Sequence, residues 1–175
     1  MENLYLYIVL ALAFLAVADL VVGVSNDAVN FLSSAIGSKA VSFKKIMIIA
    51  SIGIAIGAIF SSGMMEVARK GIFNPGEYYF DEIMIIFLAV MITDIILLDF
   101  FNTLGLPTST TVSIVFELLG AAVSIGAYKV WENSQSIVEL IKYINYTKET
   151  QIFLGIVLSV FIAFSIGAIV QWISR

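Results

Sequence analysis

The 175-residue chain has no cysteine and no histidine, and only two prolines. The first absence excludes a disulfide framework and thiol catalysis. The second removes imidazole as a general base, and together they remove the commonest zinc ligands. Charge is scarce as well: Asp, Glu, Lys and Arg make up 13% of the residues, where soluble domains carry about 25%. A net charge of -4 leaves no basic footprint for nucleic acid. There is no Gly-rich phosphate loop and no membrane-depth base paired with a nucleophile, so an enzyme is not expected.

What fills the chain is apolar: 61% of residues, with a mean hydropathy of +1.04. Such a composition belongs to an integral, multi-pass membrane protein, here all-α and a single transmembrane domain over residues 1–175. Spans are expected at residues 4–24, 46–67, 83–101, 108–128 and 152–173, about five crossings in all. The first does not read as a signal peptide, because Glu2 and no Lys or Arg precedes it and its apolar run is too long. Lys39, Lys44 and Lys45 form the densest basic group and assign their loop to the cytoplasm, with the N-terminus outside. The loop at 66–82 has mixed charge and turns at Asn74-Pro75-Gly76; its paired Arg69 and Lys70 argue against an outside position. Residues 129–150 are too charged to span, and Ile137, Leu140, Ile141 and Ile144 fit an interfacial helix. Gly53 and Gly57 make a small-xxx-small face suited to close helix packing.

Residues 102–111, Asn-Thr-Leu-Gly-Leu-Pro-Thr-Ser-Thr-Thr, break this apolar pattern. Gly105 and Pro107 end a helix, and the hydroxyls of Thr108, Ser109, Thr110 and Thr111 begin another by capping its unpaired amides. Within a membrane such a start is a place for an anion. Ser109, Ser113 and Glu117 then recur at i, i+4 and i+8, a stripe that faces a cavity or a helix interface. Residues 83–127 form either two full crossings or a hairpin whose tip at 105–108 reaches only mid-membrane.

A second polar stretch occupies residues 25–38, with neither proline nor a charge run, a pattern that suits a broken or re-entrant helix buried in protein. If residues 26–34 are helical, Asp27, Asn30 and Ser34 share one face. The alternative is a membrane-edge turn in which Asn and Asp cap a surface helix. Asp19, Asp27, Asp94, Asp99 and Glu117 have no Lys or Arg at similar depth. Buried acids without partners are protonated, neutralised by a bound cation or turned to water, so cation coupling is the expectation.

Asn26-Asp27-x-x-Asn30, running on to Ser33-Ser34-x-Ile36-Gly37-Ser38-Lys39, and Leu104-Gly105-Leu106-Pro107-x-Ser109-Thr110-Thr111 resemble the two motifs of one half of the inorganic phosphate transporter (PiT) family. The likeness covers residues 19–45 and 99–124. It implies cation-coupled phosphate uptake across the plasma (inner) membrane by two inverted repeats, of which this chain supplies one. Carried over, Asp27 is a ligand of the coupling cation, Na⁺ or H⁺, with Asn30 beside it as a possible Na⁺ ligand. Asn26 and Asn30 line the site, and Ser109, Thr110 and Thr111 hold phosphate oxygens. Ser34, Thr108, Ser113, Glu117 and Asp99 are secondary candidates. No further cofactor is implied; the partners are inorganic phosphate, the lipid bilayer and a second repeat or partner half, with a homo-oligomer expected.

Three features depart from the family pattern. Val112 stands where the family usually has His, Val24-Ser25 replaces a Gly-Ala pair, and Glu117 replaces a small apolar residue. Length is the largest departure, and the expectation is a fragment ending inside the fold at Arg175 rather than a natural half. A sulfate or other oxyanion permease of the same architecture is the near alternative, since hydroxyl and amide donors do not choose between tetrahedral anions. A non-transporting membrane assembly subunit is the distant one.

Overall fold

A chain in lipid must satisfy its backbone polar groups internally, and helices do so within one segment. The computed structural model describes residues 2–60 and 71–173. Its α-helices, in chain order, are α1 (Glu2–Ser38), α2 (Phe43–Ile59), α3 (Phe80–Leu104), α4 (Thr110–Glu132) and α5 (Tyr146–Ile173), with short 3-10 turns at Pro75–Glu77 and Ile137–Tyr143. Leu4–Ser38 of α1, with α3, α4 and α5, are long and apolar enough to cross a bilayer. The second expected span begins in α2, and its part from residue 61 onward lies outside the described residues, as do Glu66, Arg69 and Lys70.

Residues 25–38 form no break: α1 is one helix through them. Without proline no amide donor is lost there, and three hydroxyls bond back to their own helix, Ser25 to Val21 O at 2.7 Å, Ser33 to Val29 O and Ser38 to Ala35 O at 3.1 Å. The larger polar side chains find partners on other helices instead. Lys39, in the left-handed region at φ 54°, ends α1.

α1 and α3 run parallel, because Tyr5 stacks edge-on against Phe80 near their starts (5.7 Å) and Asn26 meets Asn102 near the end of α3. α4 returns antiparallel to both. The α3–α4 turn is level with Asn26 and Asn30, about 12 Å along the axis short of the end of α1 at Ser38. α3 and α4 thus form a helical hairpin whose arms are each long and apolar enough to cross a bilayer, and α1 runs past its tip.

At the opposite end of the hairpin lies the apolar core, built by Ile86 and Val90 of α3, Val115, Leu118, Ala122 and Val130 of α4, and four residues of the connecting segments: Ile72, Phe73, Tyr78 and Tyr143. The loop that charge marks as polar therefore folds inward. Phe73 pairs with Ile144 in an antiparallel bridge, Asn74 N donating to Tyr143 O (3.1 Å) and Asn145 N to Ile72 O (3.1 Å). Tyr78 donates to Ala122 O at 2.9 Å, and burial pushes its phenol above the ordinary tyrosine range. Lys129 reaches Glu82 (2.9 Å) and Glu77 O (2.8 Å) and lies 4.8 Å from the centre of the Tyr79 ring. Residues 137–143 accordingly form a 3-10 turn pinned by Tyr143, with Ile137 and Ile141 exposed.

α2 and α5 contribute little to this core. Gly53 and Gly57 have nothing within 4 Å of an added Cβ, so the close packing expected of that face is not made by the described residues.

Candidate functional site

Gly105 takes φ 67°, a conformation that costs a side chain strain but glycine none. It closes α3, with Gly105 N donating to Asn102 O (3.1 Å) and Leu106 N to Phe101 O (3.0 Å). Five residues later α4 starts, capped by Ser109, whose Oγ accepts from Val112 N at 3.4 Å and whose carbonyl accepts from Ser113 N at 3.0 Å. The first turn leaves the amides of Thr110 and Thr111 with no partner inside the helix.

α1 passes directly across this turn. Gly23 permits the approach: an added Cβ would sit 3.6 Å from Thr110 Cγ2 and 3.7 Å from Leu98 Cδ1. One turn further, Asn26 is 2% exposed with its amide spent at both ends. It donates to Asn102 Oδ1 (2.8 Å) and accepts from Thr108 N (3.2 Å), while Asn102 donates on to Val22 O (3.2 Å). Asp27 accepts from the Thr110 hydroxyl at 3.0 Å, and Asn30 donates to Thr108 O at 3.3 Å. A small hollow beside this network is lined by Asn26, Val29, Asn102, Gly105, Leu106 and Pro107.

The two polar motifs, some eighty residues apart in sequence, are thus joined by side-chain bonds, with Asn26, Asp27, Asn30, Thr108, Ser109 and Thr110 at one junction. Asn26 locks the turn in place, holding Asn102 with its amide nitrogen and Thr108 with its amide oxygen. Thr111 and Ser34 are exposed on their helices, and Asp99 is exposed on α3 and apart from the junction. Asn102 is the residue whose role sequence reasoning left unassigned. Its signal was an amide in the last turn of an apolar helix, where lipid would leave it unpaired.

Ser113 and Glu117 lie deeper along α4. The buried Ser113 hydroxyl donates to Glu117 at 2.8 Å, so the expected stripe continues inward from Ser109 as a packed interface against α1 and α3. Among the described residues, no group of three or more His, Cys, Asp and Glu has a metal-holding arrangement. A single carboxylate flanked by amides and hydroxyls, as at Asp27, has the hard oxygen donors a monovalent cation takes.

Residues 23–175 match the model of a family described as the phosphate transporter family. A protein of Thermococcus kodakarensis with the provisional name of phosphate permease is 30% identical over 138 residues, covering 77% of this chain and 30% of that protein. A Pyrococcus furiosus protein of the same provisional name is 33% identical over 119 residues, 65% of this chain and 29% of its own length. A Plasmodium falciparum protein named a sodium-dependent phosphate transporter is 34% identical over 119 residues, 65% of this chain and 18% of its own length. The chain spans under a third of the length of each of these relatives. No solved structure matches it.

Proposed function

Because this chain belongs to the phosphate transporter family, a family of transporters and not of enzymes, we propose that it forms part of a path by which inorganic phosphate is taken up across a membrane together with a cation. The observation that carries the reading is the contact of Asp27 with the α4 helix start, 3.0 Å from the Thr110 hydroxyl. The helix start offers two unpaired amides, the Ser109 hydroxyl and a partial positive charge, which suits an oxyanion stripped of water.

Asp27 supplies the coupling. Its negative charge opposes an anion at the neighbouring helix start, and in a low-dielectric site that opposition is large. A cation on Asp27 removes it, so phosphate and cation each raise the affinity of the other, as linkage requires. Asn30 stands beside Asp27 as a further oxygen ligand. The sodium dependence in the name of the Plasmodium relative supports Na⁺ as that cation, with H⁺ the other candidate. Neither Lys nor Arg is needed for this scheme.

A transport path needs a second side. The tip of the α3–α4 hairpin offers one helix start, and an inverted copy of the same unit, on a second repeat or a partner half, supplies the opposing one. Rocking of one unit against the other then exposes the site alternately. The setting is the plasma (inner) membrane. Sulfate remains a second tetrahedral anion that these donors accommodate.

The test is uptake of radiolabelled phosphate into proteoliposomes carrying the chain, alone and with a second repeat, under separate Na⁺ and pH gradients and with excess sulfate. Uptake driven by one gradient, resistant to sulfate and reduced about tenfold or more by Asp27→Asn, is the expected result. Silence in both arms, or uptake indifferent to the substitution, would overturn the reading in favour of an assembly subunit.

A further inference from the structure

Three acids that the phosphate scheme does not use meet where α1, α3 and α4 pack together. Asp94 of α3 has its side chain within hydrogen-bonding reach of Asp19 on α1 and of Glu117 on α4. Asp94 is 2% exposed, and its Oδ1 is fully buried with no hydrogen-bond partner. Asp19 Oδ1 and Glu117 Oε2 are likewise buried and unpartnered. The buried Ser113 hydroxyl is already spent on Glu117 Oε1.

An ionised carboxylate only accepts hydrogen bonds, so two carboxylates at hydrogen-bonding distance need a proton between them. The acids here make two such contacts, Asp19 to Asp94 and Asp94 to Glu117. Among the described residues, no basic side chain pairs with these acids in place of those protons. The groups facing Asp94 are Asp19 from α1 and Glu117 with Ser113 from α4, and the salt bridges among the described residues lie elsewhere, at Lys129–Glu82 and Lys142–Glu139. A metal ion fits less well, because the carboxyls do not converge in a metal-holding arrangement.

We propose that Asp19, Asp94 and Glu117 form a proton-binding site inside the membrane, with one proton shared across each of the two contacts. The site is separate from Asp27, which lies eight residues beyond Asp19 on the same helix, about 12 Å along the axis. Loading is simple protonation, H⁺ added to a carboxylate oxygen to give a carboxylic acid. Release leaves three negative charges facing one another across three helices. Since α1 carries Asp27 and α4 carries the Ser109 to Thr111 helix start, the packing that holds the two motifs together is bound to the proton content of this cluster. The inference stands on the carboxyl geometry and does not require that the chain bind phosphate.

The test is infrared spectroscopy of the chain in lipid nanodiscs at neutral pH, reading the carbonyl stretch of protonated carboxyls and its shift on transfer to deuterated water. The wild type should show a band that Asp94→Asn removes for the most part, that Glu117→Gln diminishes and that Asp81→Asn, at the exposed start of α3, leaves unchanged. No such band in the wild type, a band indifferent to both Asp94→Asn and Glu117→Gln, or a band erased by Na⁺ at constant pH would overturn the proposal. Should Asp94→Asn fail to fold, the near-isosteric Glu117→Gln alone decides. Phosphate binding measured on the same nanodiscs judges the transport reading separately: binding without the band sinks only the proton site, and the band without binding sinks only the phosphate site.

Discussion

α3 and α5 are equally apolar and of similar length, yet they hold opposite positions in the molecule. α3 buries Met84, Ile86, Val90, Asp94 and Leu98 along one face, whereas α5 buries nothing among the described residues. Hydropathy therefore reports that a helix crosses the membrane and is silent on what it packs against. The polar residues do report it. α3 carries Asp94 and Asn102, each engaged by a neighbouring helix, while the Ser159 and Ser165 hydroxyls of α5 return to the carbonyls of Ile156 and Phe161 in their own helix. In lipid there is no hydrophobic drive between apolar helices, so close packing and interhelical polar bonds decide which faces meet.

This contrast can be broken by substitution. The largest effect is expected at Phe73, 1% exposed at the centre of the core: Phe73→Ala should cost about 3–5 kcal/mol in a reversible unfolding titration. Phe164→Ala on α5, a residue 76% exposed, should stay within about 0.5 kcal/mol. A comparable loss at both would mean that α5 is packed as tightly as the core. Asn102→Leu leaves the Asn26 Nδ2 donor and the Val22 carbonyl without their partner and should cost about 1–3 kcal/mol, measured the same way. Gly126 sharpens the comparison within one residue type. An added Cβ there meets Leu140 Cδ1 at 3.0 Å and Tyr143 Cβ at 3.1 Å, so Gly126→Ala should destabilise by about 1–3 kcal/mol. Gly155→Ala on α5 meets nothing within 4 Å and should be neutral or gain up to about 1 kcal/mol of helix propensity. Gly105→Ala should cost about 1 kcal/mol, from forcing a side chain to φ 67°.

How much of this could be read from the sequence follows the same division. The helix stop at Gly105 and the start at Ser109 were legible because turn chemistry is local: a left-handed cap and a hydroxyl cap need no knowledge of the fold. So were the spans of α3 and α4, within a few residues at each end. The course of α1 was not. Residues 25–38 look like a break because their polar side chains have no visible partner in the sequence, and the partners, Asn102, Thr108 and Thr110, come from some eighty positions downstream. The inward fold of residues 71–79 was hidden for the opposite reason: the charges of Glu77, Asp81 and Glu82 dominate the composition, while Ile72 and Phe73 bury beneath them. Burial of a two-residue apolar step depends on the bridge to Ile144, which no local pattern encodes. The sequence marks the acids as a set without basic partners, but the meeting of three of them across three helices is a property of packing alone.

The central claim is that Asp27 makes phosphate binding depend on a cation. It is tested most directly by equilibrium binding of radiolabelled phosphate to the chain in lipid nanodiscs, titrated against Na⁺ and against pH, in the wild type and in Asp27→Asn. The account predicts that the cation raises wild-type affinity about tenfold or more and that Asp27→Asn binds phosphate with no dependence on that cation. A cation dependence that survives in Asp27→Asn unchanged would contradict it.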